Sequence, residues 1–84
     1  MPIQETISGN TPSAETAPAN GVSDAVVEID GPGVVYLEVK APNTGWKSIG
    51  LLSGSVSVIT PDTSLVYRFR PEEVEKQANV YFGP

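Results

Sequence analysis

Apolar and polar residues alternate most regularly over Gly33-Val34-Val35-Tyr36-Leu37-Glu38-Val39-Lys40. Val35, Leu37 and Val39 fall on one side; Tyr36, Glu38 and Lys40 fall on the other. This period of two predicts a half-buried antiparallel strand, and its β-branched residues suit the pleat. Gly31-Pro32-Gly33 opens the stretch and Pro42-Asn43-Thr44-Gly45 closes it, both turn-forming clusters. A second strong alternation runs from Ser64 to Arg70. There Leu65, Tyr67 and Phe69 share one face, and Val66, Arg68 and Arg70 share the other.

Weaker patterns fill the intervals. Ala25 to Asp30 predicts a strand with Val27 and Ile29 inward, and Val56 and Val58 alternate with serines in another. Ala78 to Phe82 predicts the last strand. The stretch from Trp46 to Leu52 breaks the period, because Trp46 and Ile49 are an odd number of residues apart. A bulge near Lys47–Ser48 would put them on one face; otherwise Trp46 sits on the outer face. Ser53-Gly54 and Thr60-Pro61-Asp62-Thr63 predict turns. Pro71 to Gln77 is the helix-compatible stretch: a proline at a first helical position, then two acids near the positive end of the helix dipole. It is long enough for one turn.

Short strands separated by turn signals at roughly ten-residue spacing predict an all-β chain. The expected fold is a small antiparallel β-sandwich or partly closed barrel of about six strands, spanning residues 24–84. Its expected core is Val35, Leu37, Val39, Trp46, Leu65, Tyr67, Phe69, Val80 and Phe82. Residues 1–23 differ in composition, with Pro2, Pro12 and Pro18 set among Ser, Thr, Ala, Asn and Gly. Such a segment carries too little apolar surface to fold by itself. It reads as an extended N-terminal arm, with Ile3 and Ile7 as anchors on a neighbouring subunit and the backbone adding to a strand edge.

Composition narrows the function. The 84 residues carry ten acids and five bases, a net charge of −5, with no Cys and no His. An acidic balance argues against nucleic-acid binding, which needs a basic face. No apolar run approaches the roughly 20 residues of a membrane span, and the N-terminus lacks the pattern of a signal peptide. Without Cys, neither a disulfide nor a thiolate metal site supports the fold; without His, the commonest general base and metal ligand are missing. A core of about sixty residues is only marginally stable by itself, so self-association is expected.

No stretch carries catalytic chemistry. Glu72, Glu73 and Glu75 are sequence neighbours, not carboxylates facing each other across a cleft. Asp24, Glu28, Asp30 and Asp62 lack the alternating spacing of a calcium loop. Serines have neither a His nor a Ser-x-x-Lys motif to activate them. The chain therefore reads as a non-enzyme without cofactor or metal. Arg68 and Arg70 project together from one face, and arginine suits interface pairing with carboxylates. With Tyr36 and Tyr81 they are the expected subunit-interface residues. Tyr36, Trp46, Tyr67 and Tyr81 could alternatively line a sugar-binding platform.

Several segments together carry a family resemblance. They are Gly31-Pro32-Gly33-Val34-Val35-Tyr36-Leu37-Glu38-Val39, Gly45-Trp46 with Ile49-Gly50, Thr60-Pro61, Val66-Tyr67-Arg68-Phe69-Arg70, and Val80-Tyr81-Phe82-Gly83. Over residues 24–84 this layout resembles β-sandwich domains of tailed-bacteriophage head-decoration, head-fibre and tail-fibre proteins. The resemblance implies a structural virion protein: a capsid decoration or cement protein on the head exterior, trimeric, with the major capsid protein or other virion subunits as partners. The alternative it leaves open is a fibre-tip or carbohydrate-binding module.

Overall fold

The computed structural model describes residues 3–17, 21–60 and 65–83. The turn expected at Thr60-Pro61-Asp62-Thr63 lies, from Pro61 onward, outside them. Among them seven strands form: β1 (Ile3–Gly9), β2 (Gly21–Asp30), β3 (Val34–Lys40), β4 (Lys47–Leu52), β5 (Gly54–Thr60), β6 (Val66–Glu72) and β7 (Val74–Gly83). They make two antiparallel sheets, one of four strands in the order β1-β7-β2-β5 and one of three in the order β4-β3-β6. The sheets face each other, with β6 over β1 and β3 against β2 and β7. The chain is an all-β sandwich, as the alternation predicts.

Among the described residues the chain crosses between sheets at three tight corners, Gly31–Gly33, Ser53 and Glu73. At the first, Gly33 has φ +133, and a Cβ there would stand 2.5 Å from the Val74 Cα. Only glycine lets the start of β3 lie this close to the start of β7. At the third corner Glu73 takes φ 53, and its N–H donates to Asn10 Oδ1 at 3.0 Å. That bond holds a non-glycine residue in a region such residues seldom adopt.

The core is built from the inward sets of both sheets. Ile3, Ile7, Ala25, Val27, Ala78, Val80 and Phe82 come from the four-stranded sheet, and Val35, Leu37, Tyr67 and Phe69 from the three-stranded one; Val74 seals the corner. Val39 and Leu65 pack half-buried at its margin. Phe82 is the hub: its ring stacks on Tyr67 at 5.0 Å and meets Phe69 edge-on at 6.3 Å.

Two expectations give way here. The N-terminal segment is not an arm. β1 is a strand of the domain's own sheet, paired with β7 from Ile3↔Phe82 to Ile7↔Ala78, and both isoleucines are buried in this chain's core. The segment after it returns along the free edge of β6. Thr16 and Tyr67 exchange backbone bonds at 2.9 and 2.7 Å, and Ser13 N–H donates to the Phe69 carbonyl at 2.9 Å. The domain therefore begins at β1, not near Ser23. The second correction is Pro71–Gln77, which forms no helix. Pro71 continues the inward series Tyr67, Phe69, Pro71 and is itself buried. A proline is tolerated there because β6 is an edge strand of its sheet.

Candidate functional site

The register of β3 against β6 sets Tyr36 opposite Arg70 and Glu38 opposite Arg68. All four side chains point away from the core, since Val35, Leu37, Tyr67 and Phe69 occupy the inward positions. Arg68 Nε donates to Glu38 Oε1 and Arg70 Nε to Glu38 Oε2, each at 2.9 Å. One carboxylate thus receives one bond from its direct cross-strand neighbour and one from the diagonal neighbour. The two guanidinium groups cover it so fully that Glu38 is only 6% exposed on an outer sheet face.

Around this clamp the rings stack. The Arg70 guanidinium lies over Tyr36 at 4.6 Å and the Arg68 guanidinium over Trp46 at 4.1 Å. Lys40 Nζ stands 5.6 Å from the same indole. At the far end Tyr36 O–H donates to Glu72 Oε2 at 3.4 Å, and Arg70 Nη1 lies 3.7 Å from Glu72 Oε1. Burial alone would raise the Glu38 pKa. The hydrogen bonds from Arg70 and Arg68, with their charges, outweigh it and hold the carboxyl below its ordinary value. The Tyr67 hydroxyl is pushed the other way, upward, by burial.

Trp46 is not a core residue. The β3–β4 register shifts between Leu37 and Glu38: Leu37 pairs with Gly50 and Glu38 with Ser48, so Ile49 is the unmatched residue of a bulge. A single extra residue flips every later side chain to the opposite face. Lys47 pairs with inward Val39, so Trp46, one residue before it, falls on the outer face, where Arg68 and Lys40 meet its ring. The same register places Leu51 opposite Tyr36, on the outer face, where it is 61% exposed.

The arginines expected at a subunit interface are thus bound within their own chain by Glu38. Tyr36 belongs to this cluster, but Tyr81 does not. Tyr81 pairs with Val26 and Gln4 on the outer face of the other sheet. It lines a shallow trough of about 430 Å³ with Gln4, Thr6, Val26, Glu28 and Asn79. Thr6 Oγ1 donates to Asn79 Oδ1 at 2.7 Å, and Asn79 Nδ2 to Glu28 Oε1 at 3.5 Å.

Charge divides between the sheets. Strands of the four-stranded sheet carry Glu5, Asp24, Glu28, Asp30 and Glu75 against Lys76; those of the three-stranded sheet carry Lys40, Lys47, Arg68 and Arg70 against Glu38 and Glu72. Among the described residues no group of three or more acids comes together as a metal ligand set, and Asp62 lies outside them. Among the same residues no helix is long and apolar enough to cross a membrane.

The two sides of the sandwich also differ. On the β6 side, residues 10–16 are tied to the sheets: Ala14 N–H reaches Glu5 Oε1 at 3.0 Å, and Ser13 Oγ accepts from Phe69 N–H at 2.9 Å. On the opposite side stand β4 and β5, each an outer strand of its sheet. Ile49, Leu51 and Val56 on these strands, with Val22 on the neighbouring β2, make up most of the large exposed apolar side chains described. Comparison of the chain with protein-family models, with curated proteins and with solved structures finds no match.

Proposed function

We propose that the protein is a structural assembly subunit: a capsid decoration protein that self-associates on a bacteriophage head exterior and cements the shell by binding the major capsid protein. The observation that carries this reading is the open side of the sandwich. A free-standing sandwich keeps exposed apolar groups scattered and its edges guarded. Here one side is closed by the chain itself, while on the other the edge strands β4 and β5 carry exposed Ile49, Leu51 and Val56. That is the form of a part awaiting a neighbour. The resemblance over residues 24–84 supplies the phage context, and the arm contact it suggested is replaced by contacts of the folded domain.

Co-sedimentation of the full-length protein with capsids lacking their own decoration protein tests the proposal. Saturable binding, lost on charge reversal or polar substitution along β4, supports it; absence of binding to capsids contradicts it.

A second reading, a fibre-tip or glycan-binding module, draws on one observation: Tyr36 and Trp46 stand on the same outer face. Arg70 and Arg68 stack on those two rings, however, and a sugar-binding platform needs a ring face open to the sugar. Binding of glycans in an array, abolished by Trp46→Ala, would favour it over the cement reading.

A further inference from the structure

The edges of the two sheets are not equivalent. Natural sheets guard an edge with a charge, a proline, a bulge or a covering segment. β1 carries Glu5 and an irregularity between Ile7 and Gly9. β4 carries Lys47 and the bulge at Ile49. The free edge of β6 is covered by residues 13–16. Among the described residues β5 has none of these devices. Gly54-Ser55-Val56-Ser57-Val58-Ile59-Thr60 contains no charge and no proline, and its register against β2 runs unbroken from Gly21↔Thr60 to Val27↔Gly54.

We propose that β5 pairs antiparallel with β5 of a second copy across a two-fold axis at Ser57, joining two four-stranded sheets into one continuous sheet. The proposal rests on the reading of the chain as a self-associating subunit but needs no capsid. The sequence favours this occupant in three ways. First, the strand is neutral, so two copies meet without like charges opposed. The guarded β1 and β4 edges are poorer partners. Second, side-chain facing is symmetric about Ser57. Val56 and Val58 pair with Ala25 and Ser23, both inward positions, while Ser57 pairs with outward Asp24 and donates to its Oδ1 at 3.0 Å. A two-fold at Ser57 therefore sets Val56 opposite Val58 of the partner copy on the core side, and Ser57 opposite Ser57 of the partner copy outside. Third, it accounts for an oddity: Val56 faces the core side yet is 43% exposed, because the three-stranded sheet leaves it uncovered. A partner valine would cover it. The contact is isologous and closes as a dimer, not as the trimer that the family resemblance implies.

Two variants of the full-length protein test this. The chain has no cysteine, so Ser57→Cys introduces a single thiol. Directly opposed residues of an antiparallel pair have Cα atoms about 4.5–5.5 Å apart, within reach of a disulfide. Mild oxidation should convert most of Ser57→Cys to a covalent dimer at micromolar concentration, whereas Ser48→Cys on β4 should stay uncross-linked. Light scattering should report a dimer for the unmodified chain and a monomer for Val56→Lys, with the Trp46 near-ultraviolet signal unchanged. If Val56→Lys does not fold, the cysteine pair decides. A monomeric or trimeric native protein, a dimeric Val56→Lys, or equal cross-linking at positions 48 and 57 overturns the proposal. Capsid binding by a protein that fails these tests would leave the cement reading standing; a dimer that ignores capsids would sink that reading and leave this one.

Discussion

Glu38 and Arg68 face each other across β3 and β6, and the carboxylate is buried on a sheet face that looks outward. The arginines achieve this burial: Arg68 from directly opposite and Arg70 from the diagonal, each through Nε at 2.9 Å. A carboxylate so held favours its ionised form. Its folded pKa lies below the unfolded one, so the clamp's contribution is complete above the unfolded value and is lost as pH falls through the folded value. Glu38→Gln should cost on the order of 2 kcal/mol at neutral pH, since it weakens two charge-assisted hydrogen bonds and leaves the arginines without their counter-charge. The difference between the two proteins should hold steady above about pH 5 and shrink as pH drops below about 4. Urea unfolding across that range reads both. A difference that grows in acid would show that Glu38 is not the group titrating.

Gly33 and Gly45 separate backbone crowding from ordinary turn chemistry. Alanine at Gly33 would drive its Cβ to 2.5 Å from a backbone atom of Val74 at a φ of +133. No rotamer relieves that contact, so Gly33→Ala should lower stability by about 2 kcal/mol or more. At Gly45 a Cβ meets nothing within 4 Å, and Gly45→Ala should stay within about 0.5 kcal/mol of the parent. Thermal or urea midpoints of the two variants make the comparison. Equal effects would mean that β3 and β7 do not start in contact.

The strands that could be read from the sequence are those whose two faces differ in chemistry. In β3 and β6 every inward residue is apolar and nearly every outward one charged or aromatic, so period two stands out. β1 has the same geometry but only Ile3 and Ile7 to mark it, with Glu5 between them on the same side. Two apolar residues in a Pro- and Ser-rich stretch look the same whether they anchor on a neighbour or on the chain's own β7, because pairing partners are not written in local pattern. Pro71 misled for a related reason: proline before two acids suits a helix start, and only the sheet shows it to be the third inward residue of an edge strand. The clamp needed register. Glu38, Arg68 and Arg70 were each legible as outward charges, but their meeting depends on which residue of β3 faces which residue of β6. Trp46 turned on one bulge residue, Ile49. The broken period was visible, whereas the face it selects was not.

Ser13 tests whether residues 10–17 belong to the domain. Its hydroxyl accepts from Phe69 N–H at 2.9 Å and donates to the Ala14 carbonyl at 2.9 Å, and the residue is buried. Ser13→Ala would leave a buried amide of β6 unsatisfied, at about 1–3 kcal/mol. Thr11→Ala, at an exposed neighbour, should cost less than about 0.5 kcal/mol. If both are neutral in urea unfolding, the segment does not close the β6 side.

The sandwich is sealed by its own residues 10–16 on the β6 side and left open along β5 on the other. Amide hydrogen exchange of the full-length protein, followed at low and high protein concentration, tests it most directly. The amides of Ile3–Gly9 that bond to β7 should be protected at both concentrations, and Gly54–Thr60 should gain protection as concentration rises. Exchange of Ile3–Gly9 at the rate of an unstructured chain, or protection of Gly54–Thr60 that ignores concentration, would contradict it.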